Sequence, residues 1–249
     1  MPARQKQIST THVDRMERGS RSSSAALALS LLAATFLTVV TSNAYAALER
    51  EPYIEMLSGT GATIGWRTTT NATSRVRWGT APNALTNEVT HLEPRRNHEL
   101  HITGLTPNTK YYYDVGSTTA VEAGGDADHY FVTSPPAGSS KPFSAWLIGD
   151  SGSGLLPQYF VRDQMLTYMG GEPPDIVLHA GDIAYPFGTT AQYTLNYFNA
   201  YEDILKKRVA WPTLGNHDAG AGLSSADTET GPYFEAYALP RAGESGGIA

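Results

Sequence analysis

Asp175-Ile176-Val177-Leu178-His179-Ala180-Gly181-Asp182-Ile183-Ala184-Tyr185 opens with a short apolar run that stops at a Gly-Asp pair. The same pattern stands on either side of it. Upstream, Phe143 to Ile148 ends at Gly149-Asp150-Ser151-Gly152; downstream, Val209 to Leu214 ends at Gly215-Asn216-His217-Asp218. The segments between them have helical periodicity. Gln158 to Met169 places Phe160, Val161, Met165 and Met169 roughly on one face, and Tyr193 to Lys206 turns Tyr197, Tyr201, Ile204 and Leu205 inward. Strand, helix, strand, helix, strand predicts a parallel α/β unit. In open sheets of this kind ligands gather at the carboxyl ends of the strands, so Asp150, Asp182 and Asn216 are expected at one edge.

Working outward toward the N-terminus, residues 52–133 read as short strands. Ala62-Thr63-Ile64-Gly65-Trp66-Arg67 is β-branched and alternating, as is Ser74-Arg75-Val76-Arg77-Trp78. Glu99 to Ile102 and Lys110 to Val115 repeat the pattern, with Gly, Pro and Asn between them. That spacing predicts a β-sandwich. Trp66 and Trp78 are expected in its core, and His91, His98, His101 and His129 read as surface strand residues. Ser134-Pro135-Pro136 through Pro142 is a linker by composition, since proline removes donors and restricts its neighbour. The expected organisation is a leader over 1–46, an all-β sandwich over 47–134, a linker over 135–142 and an α/β domain over 143–249.

Residues 22–41 are small and apolar, preceded by Arg15, Arg18 and Arg21 and followed by Ala44-Tyr45-Ala46. This reads as a signal peptide cleaved after Ala46 and removed, leaving no stable membrane span, so the expected location is secreted or periplasmic. Met16 competes with Met1 as the start, and an anchoring helix is the competing reading of the segment. The chain of 249 residues carries net charge -6. Removing residues 1–46 takes away five basic and two acidic side chains and leaves -9, which argues against a nucleic-acid partner. Cysteine is absent, so disulfides, thiolate-held metals and thiol nucleophiles are excluded.

The side chains at the three strand ends suit a hard cation. Asp150, Asp182, Tyr185, Asn216 and His217 offer only O and N donors. Two clustered carboxylates raise each other's pKa unless a cation lies between them. A carboxylate can bridge two ions about 3.5–4 Å apart. Each residue also has an ordinary reading: Tyr185 as packing before Pro186, His217 as a loop histidine, His179 as core or as support behind the site. Asp218 either orients His217 or caps the turn.

The series Gly-Asp-Ser-Gly at 149–152, Gly-Asp-Ile-Ala-Tyr at 181–185 and Gly-Asn-His-Asp at 215–218 resembles the metallophosphoesterase superfamily and, through Tyr185, its purple acid phosphatases. Leu105-Thr106-Pro107-Asn108-Thr109-Lys110-Tyr111-Tyr112-Tyr113-Asp114-Val115 resembles the tyrosine corner of fibronectin type III domains. The first resemblance implies hydrolysis of small phosphate monoesters by two metal ions. It implies that Asp150 and Tyr185 bind a ferric ion, that Asp182 bridges, and that Asn216 binds a second ion, iron, zinc or manganese. His217 would contact the phosphate and assist the leaving group.

The family's two later histidine blocks have no counterpart, since no histidine follows His217. The chain is therefore expected to be a C-terminally truncated piece, weak in binding the second metal, poorly active, and left with an unpaired sheet edge and uncovered apolar surface. Competing functions are a secreted β-sandwich binding module with a non-catalytic remnant, and a phosphodiesterase or nucleotidase of the same superfamily.

Overall fold

The computed structural model describes residues 46–242. The signal reading of residues 1–46 therefore falls, but for Ala46, outside the described residues. Among the described residues no helix is long and apolar enough to cross a membrane.

The N-terminal half is β-rich. Strands β1 (Leu48–Glu55), β2 (Gly61–Gly79), β3 (Asn87–Thr103), β4 (Lys110–Gly116), β5 (Val121–Gly124) and β6 (Tyr130–Val132) pair antiparallel. The long β2–β3 ladder slips register between Arg67 and Ser74, at a bulge that bends it. Ile64 and Trp66 before the bulge and Val76 after it enter the same core, with Ile102, Tyr113, Val115 and Phe131. The tyrosine corner forms as its sequence implies: Tyr111 Oη accepts from Thr106 N at 3.0 Å. Trp66 is fully buried and Trp78 packs against the same cluster. His98 departs from its expected surface place. It is buried, stacks on Trp66 with centroids 4.6 Å apart, and bonds Thr68 and Ser74 through both ring nitrogens at 2.8 Å. Two hydroxyl partners satisfy both nitrogens of a neutral ring, which is what lets it leave water.

The second half is the α/β unit. Strands β7 (Ala145–Ile148), β8 (Ile176–His179) and β9 (Val209–Pro212) pair parallel in the order β9-β8-β7. Helix α1 (Leu156–Tyr168) follows β7. After β8 comes a continuous helical stretch: α2 (Thr190–Gln192), a π-helical turn (Tyr193–Phe198) and α3 (Asn199–Leu205). Thr189 and Gln192 close a capping box at its start. Short helices α4 (Asn216–Ala219) and α5 (Pro232–Ala236) follow β9.

The inward residues of the second helical stretch are those the periodicity predicts: Tyr197, Tyr201, Ile204 and Leu205 are all buried. Helix α1 is rotated from its expected setting. Phe160 and Val161 are exposed, whereas Gln158 is buried with Tyr159, Met165 and Leu166 against the core. The reason is polar: Gln158 accepts from Gly154 N at 2.8 Å and donates to Asn196 O at 2.6 Å, and so claims the inner face.

The two halves share one sheet. A single parallel bridge, Ile54 to Val209, joins β1 to β9, so the order runs β5-β4-β2-β1-β9-β8-β7. Tyr53 on β1 packs in the α/β core and donates to Ala236 O at 2.8 Å. Tyr113 donates to Lys206 O at 2.8 Å from the other side. At the far end β7 is an edge strand. Leu147, 71% exposed, lies opposite Leu178 on an uncovered face, as expected of an unpaired edge.

Candidate metal centre

Asp150 and Asp182 stand just past the ends of β7 and β8, both in left-handed backbone conformation (φ 53° and 56°). A non-glycine residue there costs about 1–3 kcal/mol and persists where the surroundings enforce it. The enforcing contacts are visible. Asp150 N donates to Gly181 O at 3.2 Å, and Asp182 is crowded by Gly215. A Cβ on Gly215 would overlap Asp182 N and Oδ1, so only glycine lets the third strand end approach the second this closely.

These turns bring the sequence-predicted residues together. Tyr185 Oη donates to Asp150 Oδ1 at 2.6 Å and lies 3.1 Å from Asp182 Oδ2. Three oxygens from two loops thus converge. The phenol pKa is raised, by burial first and then by the two carboxylates that accept its proton. His217 N donates to Asp182 Oδ1 at 2.9 Å, and its ring lies 4.3 Å from the Tyr185 ring. His217 Nδ1 is 2.8 Å from Pro186 O. A carbonyl only accepts, so Nδ1 carries the proton and Nε2 is the free ring nitrogen. Asn216 opens α4 beside it, exposed to solvent.

Among the described residues no three His, Cys, Asp or Glu side chains converge on a cation position. The donor set is instead two carboxylates and a phenol, with an amide at the adjacent loop end. Hard oxygen donors of this kind fit a hard ion, and a cation among them would reverse the phenol's preference for its proton.

Supporting residues escaped the sequence reading. Gln158, Tyr193, Asn196 and Ser151 are ordinary residues in isolation, and only their partners give them a role. Asn196, on the π-helical turn, donates to Tyr185 O at 2.9 Å, and Gln158 bonds Asn196 O. Ser151 Oγ is 2.6 Å from Nε2 of buried His179. Burial depresses the His179 pKa to about 4 against the raising influence of Asp150 and Asp182, so the ring is a neutral prop behind the carboxylates. Of its two expected roles, Asp218 takes the cap, accepting from Gly215 N at the start of α4, and it bonds further groups besides. It is fully buried and accepts from Ile183 N, Ala184 N, Gly215 N and Tyr193 Oη. A cavity of about 230 Å³ opens beside Asp150, lined also by Ser153, Gln158 and Tyr201.

Residues 52–135 match the family described as purple acid phosphatase, N-terminal domain, and residues 143–246 match calcineurin-like phosphoesterase. A purple acid phosphatase of Glycine max is 27% identical over 150 residues, 57% of this chain and 30% of that protein. The chain therefore spans under a third of that relative's length. Among solved structures, one titled "Structure of PhoD" shares the fold at TM-score 0.52 and 14% identity, over 78% of this chain and 43% of the other. The sixth fibronectin type III domain of a human fibronectin type III domain containing protein aligns with 37% of this chain and 90% of its own, at 24% identity and TM-score 0.26.

Proposed function

We propose that this chain, which joins a purple acid phosphatase N-terminal domain to a calcineurin-like phosphoesterase domain, supplies the first ligand blocks of a two-metal phosphate monoester hydrolase. One observation carries the reading: Tyr185 Oη lies 2.6 Å from an Asp150 oxygen and 3.1 Å from an Asp182 oxygen, with His217 tied to Asp182. Asp150, Tyr185 and Asp182 would hold a ferric ion. Asp182 would bridge to a second ion, iron, zinc or manganese, that Asn216 also binds. We further read the β-rich half as fibronectin III-like, and residues 1–46 as an export signal that makes the protein secreted or periplasmic.

Ions held there supply Lewis acidity toward a phosphoryl oxygen and lower the pKa of water. The remaining chemistry falls to the chain. Pro186 O fixes the His217 tautomer, leaving Nε2 to take up a proton and deliver it to the leaving alkoxide. With a cation bound, Tyr185 would hold it as phenolate, its proton released to solvent. Asp182 Oδ1 accepts from the backbone amide of His217, so the carboxylate that would hold both ions also fixes the place of the acid.

The test is elemental analysis of the chain after loading with ferric and zinc ions and dialysis, with hydrolysis of an aryl phosphate monoester and the matching diester. The first ion, with three ligands named here, should be retained more tightly than the second, for which Asp182 and Asn216 are the ligands named among the described residues. Turnover should be low and should favour the monoester. Asp182→Asn should abolish both retention and turnover. A parent chain that retains no metal, or turnover unchanged by Asp182→Asn, rejects the reading; preference for the diester turns it toward phosphodiesterase chemistry.

A further inference from the structure

We propose that Asp218 is a positioning residue whose carboxylate sets the spacing between the two ligand loops. This rests on the metal-site reading above. Asp218 Oδ1 accepts from Ile183 N at 2.9 Å and Ala184 N at 3.2 Å, the two amides that follow Asp182. Asp218 Oδ2 accepts from Gly215 N at 2.9 Å, the amide that precedes Asn216. Ile183 N also lies 3.1 Å from Oδ2, so the two loops meet on one carboxylate.

The fourth donor comes from the helical layer. Tyr193 Oη donates to Oδ1 at 2.7 Å from the first residue of the π-helical turn. The next residue, Thr194, accepts from Arg50 of β1 at 3.2 Å, and Arg50 lies over the Phe198 ring at 4.0 Å. The loop junction is thereby tied through one turn of helix to the first strand of the β-rich half.

The chemistry requires a carboxylate. All the groups around Asp218 are donors, and both of its oxygens are used as acceptors. An amide offers one acceptor and turns its NH₂ toward a donor, so Asn at 218 can serve one loop but not both. Asp218 itself is fully buried and its oxygens are taken up by these donors, so its effect on an ion acts through Asp182 and Asn216. Partners that orient metal ligands typically change affinity 10–100-fold when removed.

The experiment uses the full chain with Zn²⁺ as probe. Calorimetry gives the Zn²⁺ Kd, and amide hydrogen exchange in the metal-free protein reports Ile183, Ala184 and Gly215 against core amides of β2. Asp218→Asn should raise the Kd at least 10-fold and speed exchange at those loop amides, while the β2 amides keep their rates. Tyr193→Phe, which removes a donor but no loop contact, should change the Kd less than 3-fold. Loop exchange unchanged in Asp218→Asn overturns the proposal, as does a Tyr193→Phe effect as large as that of Asp218→Asn. If Asp218→Asn does not fold, Asp218→Glu decides: it keeps both acceptors and displaces them by a methylene, and an unaltered Kd with unaltered loop exchange overturns the proposal. A parent chain that binds no Zn²⁺ defeats the metal-site reading, and the exchange measurement still judges Asp218.

Discussion

Tyr185 and Asp150, on different strand ends 35 residues apart, meet through a 2.6 Å hydrogen bond from phenol to carboxylate. A ferric ion held by these two oxygens would compete with that proton. Tyr185→Phe removes the phenol while leaving the fold, because the ring is only partly buried. With ferric ion added, the parent should develop a visible absorption band and Tyr185→Phe should not, as read by spectrophotometry. Equal bands in the two proteins would place the ion elsewhere.

Gly215 is required by contact. Alanine there overlaps the Asp182 backbone, and Gly215→Ala should destabilise the protein by about 1–3 kcal/mol or more. Gly149 meets nothing nearer than 3.6 Å, so Gly149→Ala should be neutral or stabilising by about 0.4–1 kcal/mol. Urea denaturation of the two variants checks the contrast.

Glu55 gives the stability a pH dependence. Its pKa is raised well above the usual carboxylate value, by burial first and then by neighbouring Glu99, against the lowering influence of the Ala238 amide and Arg50. An acid whose folded pKa is raised binds more protons folded than unfolded. Its penalty is absent below the unfolded value of about 4.3 and grows as pH rises toward the folded value. Glu55→Gln should therefore be more stable than the parent at pH 8, with the difference shrinking toward pH 5. Thermal melts across that range give the comparison.

The β-rich half is part of the α/β half's framework. Residues 143–242 expressed without β1 lose the Tyr53 ring from their core and the bridge at Ile54. This piece should show no cooperative unfolding transition, whereas residues 47–242 should. A sharp melt for the shorter piece would disprove the dependence.

The exposed face of β7 should govern solubility more than stability. Leu147→Lys replaces a side chain that is 71% exposed on an edge strand. Stability should change by less than about 0.5 kcal/mol, and light scattering should show less self-association.

Residue pattern suffices to locate the strand ends that carry Asp150, Asp182 and Asn216, the inner face of the helix through Tyr197, Tyr201, Ile204 and Leu205, and the corner at Tyr111. Those features are periodic or local, set by two- or four-residue spacings and by a hydroxyl five residues from its partner. The tertiary structure alone decided the rest. Gln158 took the inner face of α1 from Phe160 because its partners lie on a loop and on a helix 38 residues away. His98 left the surface because Thr68 and Ser74 flank it across a bulged ladder. Asp218 joined two loops in place of serving His217, because three backbone amides and a distant tyrosine point at one buried spot. Spacing along a chain states which side chains a fold can offer to a site; which of them claims a given hydrogen bond depends on what else is packed within 3 Å of it.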